Sequence, residues 1–147
     1  MKILALSAFS LLTSLLLNVN LVQAQAVGSG TISWTASPQV ALRQARETGL
    51  PILAFFTSEN CTYCQKMERE VWGNRRIISQ VEAETIPLRI QAEHHPQFVN
   101  AVGIQAFPTT VFFSPDGKVL AGSTGFAPAT KIVGMLDSVN APRQAHP

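Results

Sequence analysis

The sequence predicts an α/β fold in which a central mixed sheet is flanked by helices. Two observations predict it. Strand-like and helix-like segments alternate from Thr31 onward, and the order closes with two turn-linked strands before a last helix. Within that order, Pro51–Thr57 is apolar almost throughout, which suits a strand covered on both faces.

Each element has a local reason. Thr31–Thr35 alternates and reads as a short edge strand. Ser37 before Pro38 is a helix N-cap with proline at the first helical position, and Gly49 with Pro51 beyond supplies the stop. Val40, Ala41, Leu42 and Ala45 are the expected buried side of that helix. The apolar strand ends at Ser58-Glu59-Asn60, and Cys61-Thr62-Tyr63-Cys64 follows at once. From Thr62 the spacing of Cys64, Met67, Val71, Ile78 and Val81 predicts one helix running to Val81, with Lys66, Glu68, Glu70 and Arg75 outside. Ile86–Ile90 is a second strand, which Pro87 places at an edge or at a strand start. Pro96–Val102 reads as a short helix with Phe98, Ala101 and Val102 inward and Gly103 closing it. Thr110–Phe113 is a third strand, and Pro115-Asp116-Gly117 turns it into a partner over Lys118–Ala121. Pro128 opens the last helix, with Ile132, Val133, Leu136 and Val139 on one face.

A chain of 147 residues suits one domain, and 46% hydrophobic against 14% charged residues excludes a disordered one. A net charge of +2 is too small to make nucleic acid or an anionic membrane the main partner. Lys2, a short apolar stretch and Val22-Gln23-Ala24 together read as a secretory signal peptide over residues 1–24. The competing reading is an uncleaved anchor, against which stand Ser7, Ser10, Thr13, Ser14, Asn18 and Asn20 within the stretch. Without a cysteine near the cleavage site, a lipid anchor is not expected. Residues 25–33 then form a flexible leader, 34–139 the domain and 140–147 a loose polar tail.

Export makes the cysteines informative, because oxidising compartments tolerate disulfides. The two cysteines, Cys61 and Cys64, are separated by two residues. A bridge closing so small a loop adds little stability, so the pair is better explained by chemistry. Cys61 lies between a strand end and a helix start, where free N–H groups and the helix dipole favour an anion. A thiol there ionises below its ordinary pKa of about 8.5. Cys61 is therefore the expected nucleophile, and Cys64, one turn on, the resolving thiol. The pair can alternatively be read as half a zinc site or a structural bridge. Zinc requires two more ligands, for which only His94, His95 and His146 remain, and no second CxxC exists. No metal and no cofactor are therefore expected, and there is no phosphate loop, Ser/His/Asp set or dinucleotide fingerprint.

The segment Phe55-Phe56-Thr57-Ser58-Glu59-Asn60-Cys61-Thr62-Tyr63-Cys64-Gln65-Lys66-Met67-Glu68 resembles the active-site segment of thioredoxin-like proteins. It looks especially like the exported group related to the C-terminal domain of the bacterial transmembrane disulfide reductase. Val102-Gly103-Ile104-Gln105-Ala106-Phe107-Pro108-Thr109 resembles that family's second signature, and the Ser114–Lys118 turn and Gly125 also match. The resemblance covers residues 34–139 and implies a thioredoxin-like fold. It further implies that Pro108 is cis and packs beside Cys61, and that the Phe107 backbone pairs with a substrate peptide, with Thr109 and Tyr63 alongside. From the residues alone, Pro108 also fits an ordinary trans proline at a strand start.

Three positions depart from the family pattern. Phe55 stands where many thioredoxins carry a buried Asp held to assist proton transfer at the second cysteine. Its presence implies another acceptor, water or Glu59, or slower reduction. Asn60 replaces a common Trp, and Thr62-Tyr63 replaces Gly-Pro. His94-His95 reads as a solvated pair at a helix start, Trp34 and Trp72 as packing residues, and Arg75-Arg76 as a solvated face. Tyr63 reads equally as a substrate contact or a helix-surface aromatic.

The expected function is an exported, monomeric thiol–disulfide oxidoreductase acting as a reductant on extracytoplasmic proteins. It would need a membrane electron donor, or an oxidant if it runs the other way. The alternatives are an oxidase, an isomerase, or a non-catalytic module that binds a partner or Cu(I) through the two thiols. The lack of a nearby His or a Met-rich stretch argues against the copper reading.

Overall fold

The computed structural model describes residues 30–144. The signal segment, its cleavage site at Ala24 and most of the expected leader lie outside them. The elements are α1 (Pro38–Thr48), β1 (Ile52–Thr57), α2 (Thr62–Met67) continued by a π-helical segment (Glu68–Trp72), α3 (Arg75–Glu84), β2 (Ile86–Gln91), α4 (Pro96–Val102), β3 (Thr109–Phe113), β4 (Val119–Thr124) and α5 (Ala129–Gln144). Among the described residues no helix is long and apolar enough to cross a membrane.

The sheet has the order β2-β1-β3-β4. β1 lies parallel to β2 and antiparallel to β3, and β3 lies antiparallel to β4, so the sheet is mixed. All six residues of β1 are buried, as its unbroken apolar run requires of a strand covered on both faces. Side-chain alternation sends Leu53 and Phe55 to one core with α2, α3 and α5. Ala54 and Phe56 go to the other, with α1 and α4. Pro87 sits second in β2, which is a sheet edge, where a missing N–H is tolerated.

Helix α1 begins where Ser37 Oγ accepts from the Val40 N–H at 3.3 Å, and ends where Gly49, at φ 73°, donates to the Ala45 carbonyl. Only Ala41 and Ala45 of its four expected apolar positions are fully buried, because Val40 and Leu42 lie at the margins of the contact face.

The structure corrects several expectations. The single helix predicted over Thr62–Val81 is two. A Cβ on Gly73 would stand 2.8 Å from the Arg69 carbonyl oxygen, so only glycine fits this close turn. Asn74 then caps a new helix, its Oδ1 accepting from Arg76 N at 3.0 Å and Ile77 N at 3.4 Å. In α4 the fully buried residue is Val99, while Ala101 is exposed. The Thr31–Thr35 strand reduces to one parallel bridge, Thr35 to Leu88. Ile32 belongs to the first core rather than to a flexible leader. β4 runs three residues past its expected end at Ala121. Helix α5 continues to Gln144, through the expected loose tail, and Asn140 is buried with its Nδ2 donating to Glu84 Oε2 at 2.8 Å.

Candidate active site

The site forms where β1 runs out. Thr57 is followed by the Ser58–Asn60 loop, and Asn60 adopts φ 54°, a left-handed conformation that asparagine tolerates better than most residues. Two bonds from the β2–α4 turn hold this loop. The Ala92 N–H donates to the Thr57 carbonyl at 2.9 Å, and the Glu59 N–H donates to Glu93 Oε1 at 2.9 Å. The second bond is the main reason the Glu93 carboxyl is held below the usual carboxylate range. Glu59's own side chain is exposed.

Cys61 is extended, at φ −88° and ψ 100°, and is the N-cap of α2. Its Sγ accepts from the Cys64 N–H at 3.1 Å, doing with sulfur what a serine or aspartate oxygen does at other caps. Cys61 and Cys64 are disulfide-bonded, with Cα atoms 5.2 Å apart. Their surroundings differ. Cys61 is half-buried at the rim of the first core, whereas Cys64 is 2% exposed within it. Tyr63, between them, is 62% exposed.

The register pairs Phe56 with Thr109. Pro108 therefore lies at the end of the sheet where β1 opens into the cysteine loop. The Phe107–Pro108 peptide bond is cis. Pro108 is buried, and its carbonyl accepts from the Gly125 N–H at 2.7 Å. Thr109 is buried too, its hydroxyl donating to the Ala106 carbonyl at 2.7 Å. Phe107 is half-buried and, like Cys61, packs against the first core. On the other side of the loop after β4, Lys66 Nζ stands 4.7 Å from the centre of the Phe126 ring, tying α2 to the Gly125–Pro128 segment.

One feature escaped the sequence. Phe55 pairs with Arg89 on β2 and with Thr110 on β3, and Thr110 pairs with Ser123 on β4. Residues directly opposite share a face, so these four form a row across the whole sheet on the side of the core that holds Cys64. The Phe55 ring is locked edge-on against Trp72 at 5.4 Å and tilted against Trp34 at 6.1 Å. The site thus has an aromatic trio where the resemblance leads one to expect an acid. Arg89, at one end of the row, is ion-paired to Glu68. Thr110 and Ser123, at the other end, carry buried hydroxyl oxygens without a partner among the described residues. The four-residue spacing of Glu68 from Cys64 was the one readable signal; the strand register was not. His94 is exposed and His95 half-buried. Among the described residues no three His, Cys, Asp or Glu cluster as metal ligands would.

The thioredoxin-like domain family matches residues 38–140. The chain belongs to that family. A bonded CxxC pair at a helix start is the group that thiol–disulfide exchange requires. Among solved structures, the chain is similar to the oxidoreductase DsbH, with a TM-score of 0.67 and 19% identity over 81% of this chain and 91% of that one. It is similar to a thioredoxin from Thermus thermophilus, with a TM-score of 0.65 and 21% identity over 79% and 96%. It is also similar to a disulphide isomerase from Xylella fastidiosa, with a TM-score of 0.59 and 20% identity over 69% and 87%. At these identities the likeness is one of fold. An uncharacterized Caenorhabditis elegans protein, B0495.5, is 25% identical over 105 residues, covering 66% of this chain. This chain spans 14% of that protein's length.

Proposed function

We propose that this chain reduces disulfides in extracytoplasmic proteins by dithiol–disulfide exchange, with Cys61 as nucleophile and Cys64 as resolving thiol. The observation that carries the reading is the unequal exposure of two bonded cysteines at the mouth of one helix. Cys61 is the residue at the rim, where a substrate would meet it, and the Cys64 N–H aimed at its sulfur stabilises its thiolate. That thiolate attacks a substrate disulfide, forming a mixed disulfide and expelling one substrate thiolate. Cys64 then attacks Cys61, forming the intramolecular bond and releasing the second substrate thiol.

The substrate chain would lie along Phe107. No backbone hydrogen bond among the described residues engages Phe107, so its N–H and C=O are open to a peptide strand. Pro108 and Thr109 shape this segment, and the exposed Tyr63 adds an apolar contact. Lys2, the apolar stretch and Val22-Gln23-Ala24 support export, to a periplasm by the resemblance, and a membrane donor would return the electrons. Insulin reduction that is abolished in Cys61→Ser, with substrate trapped as a mixed disulfide in Cys64→Ser, is the expected result. Turnover retained in Cys61→Ser would refute the assignment. A reduction potential near about −270 mV supports the reductant, and one near about −120 mV points to an oxidant instead.

A further inference from the structure

The starts of β1 and β2 lie at the pole of the sheet opposite the cysteine loop, the length of β1 or roughly 17 Å away. There a groove of about 690 Å³ opens between the end of α1 and the end of α3, over the edge of β2. We infer that this groove is a docking site for an arginine side chain carried on an extended segment of a partner protein. The inference is independent of the exchange chemistry proposed above.

Three observations carry it. Trp34, Val40, Leu50 and Pro87 line the groove, and each is only half-buried, so the groove offers apolar surface to a visitor. Trp34 packs in the first core against Phe55 and Trp72 and still reaches the groove, which holds its indole in place. Second, Glu47 on α1 and Glu82 on α3 bring carboxylates to the groove from two different elements. Both residues are exposed, and no cationic side chain among the described residues pairs with either. Third, the Glu82 carboxylate is positioned by the backbone: its Oε1 accepts from the Ser33 N–H, beside Trp34, and Oε2 is left for a ligand.

The aromatic surface and the carboxylates together select the occupant. A guanidinium is planar, carries five donors and is weakly hydrated, so it can lie against an indole while its fork reaches a carboxylate. An ammonium is a strongly hydrated point charge and fits such a site less well. The groove is larger than one side chain needs, and its apolar lining suits the arginine stem and an apolar neighbour in the same segment. A free arginine would bring its own carboxylate up to the two glutamates. Within a polypeptide that charge is gone, which favours a protein segment as the source. An occupant at this pole leaves Cys61 and Tyr63 uncovered, so a partner can be held while the cysteine loop works.

An NMR titration of the isotope-labelled, disulfide-bonded protein with a capped Leu-Arg-Leu peptide tests this. The Trp34 indole N–H and the Ser33 and Thr85 amides are expected to move together and saturate, while Tyr63 and Phe107 stay in place. The same peptide with citrulline, which keeps the shape and lacks the charge, is expected to bind about tenfold more weakly. Glu47→Gln and Glu82→Gln are each expected to weaken the arginine peptide about threefold. Glu82→Gln keeps an acceptor for the Ser33 N–H, and the Glu47 side chain is exposed, so both variants retain the fold. Equal affinity for the arginine and citrulline peptides overturns the inference, as do groove signals that have not moved by about 10 mM peptide. Parent-like affinity in both variants overturns it too. A lysine peptide that binds as tightly removes the guanidinium assignment, and free arginine that does so removes the protein partner. Shifts confined to Tyr63 and Phe107 overturn the inference by placing the peptide at the exchange site.

Discussion

At Phe55 the chain puts a fully buried ring into the centre of the cross-sheet row, wedged against Trp34 and Trp72. This ring puts packing where the resemblance leads one to expect an ionisable side chain. Phe55→Ala should therefore cost about 3–5 kcal/mol, since a large cavity opens in a core that α2, α3 and α5 cannot all close upon. Chemical denaturation measures this; a loss below about 1 kcal/mol would show that the trio is loosely packed. Phe55 was readable as a buried strand residue. Its companions were not, because Arg89, Thr110 and Ser123 come from three other strands and their alignment is a matter of register.

At the scale of elements, the helix carrying the cysteines is short because it has to be. The π-helical segment and Gly73 end it, and Asn74 restarts the chain in a new direction so that Ile77, Ile78 and Val81 reach the first core. Asn74→Ala should cost about 1 kcal/mol, the worth of an N-cap, and leave disulfide exchange intact. Urea unfolding of the variant checks the first expectation, and a matching fall in activity would contradict the second. Gly73 and Asn74, a stop and a cap side by side, stand inside a stretch that reads as one helix. A helical periodicity that continues through them concealed the break, because α2 and α3 bury their apolar faces in the same core.

At the scale of the molecule, the Glu59–Glu93 bond joins the cysteine loop to the far end of β2, so the site is assembled from both sides of a parallel crossover. The Glu93 pKa is lowered on folding, from an ordinary value of 4.5. Its carboxylate bond is thus fully formed above that value and is lost as pH falls through the depressed folded pKa. Hydrogen exchange at the Glu59 amide, corrected for intrinsic rate, should accordingly stay protected at neutral pH and lose protection only below the ordinary carboxylate range. Glu93→Ala should remove the protection at every pH, and protection that survives in this variant would show that the loop is held by other contacts.

The sequence by itself determined the α/β class, the caps of α1, the central position of β1 and the two cysteines at a strand–helix junction. Those features are local: they follow from residue spacing, cap chemistry and an unbroken apolar run. Only the tertiary structure decided that Phe55 lines up with Arg89, Thr110 and Ser123, that Arg89 meets Glu68, and that Glu93 reaches back to the cysteine loop. Each of these depends on strand order and register, which the whole core sets at once and no short stretch of residues encodes.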